Sequence, residues 1–232
     1  MYRNPICVAL DTPDPVQAAA MVGLLKNSIG MAKVGMELFF RSGRPGYEQV
    51  AAQGVPLFLD LKLHDIPNTV AQGLTSLLSL SPAPAIVNVH ASGGPAMLEA
   101  AARAVDGKAK LIAVTILTSL SDADMHASGF DPEADTALAA VRLAQLSKQF
   151  GLDGVVCSPH DIVAIKAACG SEFLTIVPGV RPAGVDVQDQ KRIATPLAAR
   201  TAGADILVIG RPITQASDPV AAAASIVTSL GA

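Results

Sequence analysis

The sequence contains no tryptophan and only eight aromatic residues, six Phe and two Tyr, among 232 positions. Single-stranded nucleic acid is held by aromatic platforms inside a basic groove. With a net charge of −3, the chain has neither the rings nor the positive surface for that role. Cysteine is scarce as well: Cys7, Cys157 and Cys169 stand far apart, without CxxC or CxxH spacing. They read as small core residues of a reducing compartment, not as a disulfide frame or a zinc site. His64, His90, His126 and His160 lack HxH and HxxxH spacing, so no metal site is implied. P-loop, GxGxxG and nucleophile-elbow patterns are missing too. No apolar run is long enough to cross a bilayer and no N-terminal signal pattern is visible. A cytoplasmic protein with no membrane or nucleic-acid partner is expected.

What the chain has in quantity is apolar residues, half of the total. They fall into eight short strands separated by helical stretches: Ile6 to Leu10, Met31 to Val34, Leu57 to Leu59, Ala85 to Val89, Leu111 to Val114, Gly154 to Cys157, Leu174 to Val177 and Ile206 to Ile209. Strands this uniformly apolar, joined by helices, indicate a parallel sheet covered on its outer face. Eight units without a break in composition predict an α/β fold, a single (β/α)8 TIM barrel over residues 1–232. The length suits such a barrel, for which about 250 residues is usual. A doubly wound open sheet is the alternative, because periodicity does not reveal closure. Helix starts are marked by Pro95, by Asp218-Pro219, and by Ser158-Pro159-His160-Asp161, which reads as a capping box with proline in its first turn.

One stretch organises the rest: Phe58-Leu59-Asp60-Leu61-Lys62-Leu63-His64-Asp65-Ile66-Pro67-Asn68-Thr69. Residues two apart on a strand share a face. Asp60 and Lys62 therefore point one way and the leucines the other. With the leucines packed on helices, the charged pair points into the barrel. Chemistry in such barrels sits at the C-terminal ends of the strands. Asp11, Lys33, Asp60, Lys62, Asn88, His90, Thr115 and Gly210-Arg211 all fall there. Two lysines alternating with two aspartates at one mouth make burial tolerable and hold an ammonium rigidly against a reacting atom. A structural ion pair is the simpler reading of Asp60 and Lys62 alone.

The last strand ends in Gly210-Arg211-Pro212, where glycine allows close approach of an anion and arginine can fork onto phosphate oxygens. The preceding loop, Pro178 to Gln190, is long, polar and hinged by Gly and Pro, as a closing lid would be; a plain solvated loop would look similar. Thr118 to about Asp135 forms a second long polar loop. His90 beside Asn88 could touch ligand or serve only the barrel.

These residues together resemble the orotidine 5′-phosphate decarboxylase family. Asp60-Leu61-Lys62-Leu63-His64-Asp65-Ile66-Pro67-Asn68-Thr69 is similar to its signature. So are, in order, Ala9-Leu10-Asp11, Lys33-Val34-Gly35, Asn88-Val89-His90-Ala91, Leu117-Thr118-Ser119, Pro178-Gly179-Val180-Arg181-Pro182, Gln190 and Gly210-Arg211-Pro212. The resemblance implies a homodimeric barrel that converts orotidine 5′-monophosphate to UMP and CO2 without metal or organic cofactor. Loss of CO2 from C6 leaves an in-plane carbanion that the pyrimidine π-system does not delocalise. A fixed positive charge and a proton source beside that carbon are then required. By resemblance, Lys62 supplies both, Asp60 sits near the leaving carboxylate and orients Lys62, and Lys33 bridges Asp60 to the ribose. Asp11 binds ribose hydroxyls, while Thr118 or Ser119 meets the pyrimidine. Gln190, Arg211 and the Gly210 amide hold phosphate with Arg181 nearby. Asp65 and Thr69 enter the partner subunit's site. Two alternatives share the residues. The first is a Mg²⁺-dependent sugar-phosphate decarboxylase or aldolase, for which Glu37 is the obvious extra ligand. The second is a catalytically idle sensor of nucleotide phosphate.

Overall fold

Eight parallel strands close on themselves in sequence order: β1 (Ile6–Leu10), β2 (Met31–Gly35), β3 (Leu57–Leu63), β4 (Ile86–His90), β5 (Lys110–Val114), β6 (Gly154–Val156), β7 (Leu174–Val177) and β8 (Ile206–Ile209). The computed structural model describes residues 4–181 and 194–231. Closure is made by β8 pairing with β1, Cys7 lying opposite Val208, so the expected barrel is found and the open sheet is not.

The alternation of side chains explains why strands with few polar residues still have two distinct faces. In β1, Ile6, Val8 and Leu10 pack outward against the helices, whereas Cys7 and Ala9 fill the lumen. In β8, Leu207 and Ile209 go outward, Ile206 and Val208 inward. The lumen is plugged lower down by Met31, Phe58, Ile86, Ile112 and Ile176, all nearly inaccessible to solvent. A filled lumen leaves room for polar side chains only above it, at the C-terminal rim.

The outer layer includes α1 (Pro15–Leu25), α2 (Met36–Ala51), α3 (Pro67–Leu78), α4 (Pro95–Val105), α5 (Asp122–Ala127), α6 (Thr136–Gln149), α7 (Ile162–Cys169), α8 (Pro196–Thr201), α9 (Arg211–Thr214) and α10 (Pro219–Ser229). Side-chain caps begin several of them. Asp14 accepts from the Val16 N–H at 2.8 Å, Asp135 from Leu138 at 2.7 Å and Asp218 from Ala221 at 2.9 Å.

Two sequence expectations are corrected. Ser158 to Asp161 is not the first turn of α7 but a separate turn before it: the Asp161 N–H donates to the Ser158 carbonyl at 3.1 Å, and α7 starts only at Ile162. The Asp161 carboxylate does reach back to the Ser158 N–H, at 3.3 Å, so half of the reciprocal pattern survives as a tight turn. The stretch from Thr118 to Asp135 is also more than a polar loop. It contains α5, opened by a Ser121–Asp124 capping box, and buries Met125 in a small core with Ile116, Ala139 and Ala140. The signal was weak because the large apolar side chains the loop gives to this core, Leu120, Met125 and Phe130, are scattered singly among polar residues.

Replacement of Ile86, fully buried in the lumen plug, by Ala is expected to lower unfolding free energy by about 2–5 kcal/mol through lost transfer energy and a residual cavity. Urea denaturation checks this, and the midpoint should fall while the slope stays constant.

Candidate active site at the barrel mouth

A cavity of about 400 Å³ opens at the C-terminal ends of the strands. Its floor is apolar, with Phe58, Val156, Ile176 and Val208, and its polar wall carries Asp11, Lys33, Asp60 and Lys62. Lys33 reaches it from β2, Asp60 and Lys62 from β3, and Asp11 from the first residue after β1.

The four charges form a chain. Lys62 Nζ lies 2.8 Å from Asp60 Oδ1, Lys33 Nζ lies 3.3 Å from Asp60 Oδ2, and the same ammonium lies 3.7 Å from Asp11 Oδ1. The two middle members are the least accessible. The Asp60 and Lys33 side chains are 10% and 12% exposed, Lys62 26%, and Asp11, at the rim, 64%. Burial alone would push the Asp60 carboxyl upward, but Lys33, Lys62 and the hydrogen bonds from Lys62 and Asn88 outweigh it and hold the pKa below the ordinary value. Burial works against the Lys33 ammonium, yet Asp60 and Asp11 outweigh it and raise its pKa. Both shifts favour the ionised pair in the folded state. The Asp60 share of that stability is lost as pH falls through its lowered pKa, and the Lys33 share as pH rises through its raised one. Cys7, directly below in the lumen, is pushed by burial to about 12 despite Lys33 and stays a thiol.

The strand carrying Asp60 and Lys62 is irregular at this point. Leu59 pairs with Val87 and Leu63 with Val89, so a step of four residues on β3 faces a step of two on β4. Lys62 takes up the excess with a left-handed backbone, φ 53°. For a non-glycine residue this conformation costs roughly 1–3 kcal/mol and persists only where surroundings enforce it. The parity expectation still holds: Leu61 and Leu63 pack on the helical side, and Lys62 turns to the cavity.

The enforcing residue is Asn88 of β4, 1% exposed. Its Oδ1 accepts the Lys62 backbone N–H at 2.8 Å and its Nδ2 donates to Asp60 Oδ1 at 2.7 Å. The sequence places Asn88 among the polar residues at the strand ends but does not by itself give it a role. An asparagine in an otherwise apolar strand was the available signal. His90 itself is half-buried, its ring 5.4 Å from that of His64, and burial, with His64 and Lys62, lowers its pKa.

Thr118, Ser119, Arg181, Gly210 and Arg211 also line the cavity. Arg181 is buried and donates to the Val180 carbonyl at 3.0 Å. A Cβ on Gly210 would come within 3.2 Å of Asp11 Oδ2 and 3.4 Å of the Ala9 Cβ, so glycine keeps that corner open. Gln190 lies outside the described residues. Asp65 and Thr69 are exposed and do not line their own chain's cavity; Asp65 Oδ1 instead accepts the next N–H, that of Ile66, at 2.7 Å. Glu37, in the first turn of α2, is exposed and outside the cavity lining. Among the described residues, no three His, Cys, Asp or Glu side chains cluster as metal ligands.

A geometry of this kind has known counterparts. The chain is 50% identical over 227 residues to an orotidine 5′-phosphate decarboxylase of Novosphingobium aromaticivorans, covering 98% of this chain and 99% of that one. It is 47% identical to the enzyme of that name from Paramagnetospirillum magneticum, again over 98% and 99%. Among solved structures, an orotidine 5′-phosphate decarboxylase from Lactobacillus acidophilus superimposes with a TM-score of 0.85 at 36% identity, covering 99% of this chain and all of the other. The family model described as orotidine 5′-phosphate decarboxylase / HUMPS matches residues 4–226. By its sequence, its barrel and its matched length, the chain belongs to the orotidine 5′-phosphate decarboxylase / HUMPS family.

Proposed function

We propose that this chain decarboxylates orotidine 5′-monophosphate to UMP and CO2, with Lys62 as the group that stabilises and protonates C6. The observation that carries this reading is the Lys33–Asp60–Lys62 chain on the wall of an otherwise apolar-floored cavity. The C6–carboxylate bond breaks, its electron pair stays on C6, and CO2 departs. The Lys62 ammonium, fixed by Asp60, offsets that charge and then gives C6 a proton. A charge already held in place needs no reorganisation as the carbanion forms, which is where electrostatic catalysis is strongest. Asp60 lies near the leaving carboxylate, and Lys33 carries the network to Asp11 and the ribose hydroxyls. Thr118 or Ser119, both on the cavity wall, meets the pyrimidine. Arg211, the Gly210 amide and Gln190 hold the phosphate with Arg181 close by.

The active form is a cytoplasmic homodimer in which each barrel, residues 1–232 as one unit, lends Asp65 and Thr69 to its partner's site. Supporting this, Asp65 and Thr69 avoid their own cavity, and Ile66 between them is 67% exposed. Phe40 and Met36, on the helix that follows β2, are 72% and 44% exposed, large apolar surfaces that a second copy would cover.

Lys62→Ala should abolish turnover, followed as loss of orotidine-monophosphate absorbance with EDTA present, while a substrate analogue still binds. Activity within about tenfold of the parent enzyme would rule out the assigned role. Arg211→Ala should lower kcat/KM severely for the nucleotide and hardly at all for the phosphate-free nucleoside, since remote binding energy is spent at the reacting centre. Equal losses on both substrates would make Arg211 structural.

The shared site is tested by mixing. Lys62→Ala and Asp65→Ala homodimers should each be nearly inactive. After dissociation and reassociation, about half the dimers pair randomly as hybrids, each with one intact site, so about a quarter of all sites should recover. Failure to recover, with hybrids demonstrated by tagged pull-down, would assign Asp65 to its own chain's site.

A further inference from the structure

We infer that Asn88 is a positioning residue for the decarboxylation, setting through one amide both the direction of Lys62 and the charge arrangement of Asp60. The inference rests on the proposed role of Lys62 and goes beyond it, since Asn88 is not among the residues lining the cavity. Its neighbours in the lumen plug, Ile86 two residues before it and Ile112 opposite it on β5, are apolar and fully buried. A leucine would fill the same space. What an apolar side chain lacks is an acceptor for the Lys62 N–H, which is drawn to the Asn88 side chain at the register shift of β3 on β4. Without that acceptor, the buried N–H favours a return of Lys62 toward extended backbone, and its side chain swings away from Asp60.

The amide's orientation follows from its partners. A backbone N–H demands the oxygen on one side and a carboxylate demands the NH₂ on the other, so only one of the two flips satisfies both. Asp60 Oδ1 thus receives Lys62 Nζ at 2.8 Å and Asn88 Nδ2 at 2.7 Å, leaving Oδ2 to Lys33 at 3.3 Å. The amide keeps the carboxylate pinned between the two lysines, and so fixes where the Lys62 ammonium stands relative to C6. Displacement of a reacting group by about 1 Å can cost about a hundredfold in rate.

Asn88→Asp separates this role from simple packing, because the new side chain is isosteric. Ionised, it still accepts from the Lys62 N–H but no longer donates to Asp60 and repels it. Protonated, it again offers one acceptor and one donor. The charged and titratable groups around position 88 are Asp60 and Lys62 on β3, Lys33 on β2 through Asp60, and His90 on its own strand with the tilted His64 ring 5.4 Å from it. From β5, Ile112 adds no charge.

The experiment compares the intact enzyme with Asn88→Ala and Asn88→Asp by steady-state kinetics on orotidine 5′-monophosphate. For Asn88→Ala, kcat should fall about a hundredfold with KM changed by no more than about threefold. For Asn88→Asp, activity relative to the parent should rise steadily as pH is lowered from about 8 to about 5.5, as the new carboxyl takes up its proton. A kcat for Asn88→Ala within about threefold of the parent, or a loss carried by KM, overturns the inference. So does a relative activity of Asn88→Asp that is flat or falling toward acid, which remains measurable if the alanine variant fails to fold. Failure of the Lys62 reading is distinct: it appears as an active Lys62→Ala enzyme, whereas an inactive Lys62→Ala beside a normal Asn88→Ala rejects Asn88 alone.

Discussion

One carboxylate, that of Asp60, is the constraint on which the mouth of the barrel depends. It takes Lys62 and the Asn88 amide on one oxygen and Lys33 on the other. Removing a charge of either sign would leave its partners buried and uncompensated, a far larger penalty than the net gain from forming the pair. The residues must therefore be present together. The alternation of lysine and aspartate across three strands holds the Lys62 ammonium 2.8 Å from Asp60 on the cavity wall. That is the setting in which a fixed charge acts most strongly on a neighbouring carbanion.

The strain in β3 is best understood from the same point. A regular parallel ladder from Leu57 to Leu63 would have run level with β4 and left no reason for Lys62 to leave extended backbone. Instead β3 has two residues more than β4 between Leu59 and Leu63, and Lys62 absorbs them at positive φ. The stability for this irregularity comes from below, from the lumen plug of Phe58, Ile86, Ile112 and Ile176 and from the outward leucines. A rigid base under a strained rim is the usual division of labour in these barrels, where one end supplies stability and the other chemistry. The segment between β5 and α6 follows the same plan on a smaller scale, with Met125 anchoring Thr118 and Ser119 near the cavity through a core of its own.

Much of this was written locally in the chain. The eight apolar runs determined the strands, and their uniformity implied burial on both faces. Parity set Asp60 and Lys62 against Leu59, Leu61 and Leu63, and the residues just after strands β1 and β8 marked Asp11, Gly210 and Arg211. Such features depend on a residue and its near neighbours, so they survive without knowledge of the pairing. What only the tertiary structure decided depends on strands meeting from far apart. The register shift, the left-handed Lys62 and the double use of Asn88 arise between positions 26 and 28 apart in sequence. The true start of α7 and the buried Met125 were hidden for a related reason. Ser158 to Asp161 has capping composition in any context, and only packing selects a turn over a helix; Leu120, Met125 and Phe130, scattered among polar residues, become a core only when α6 covers them.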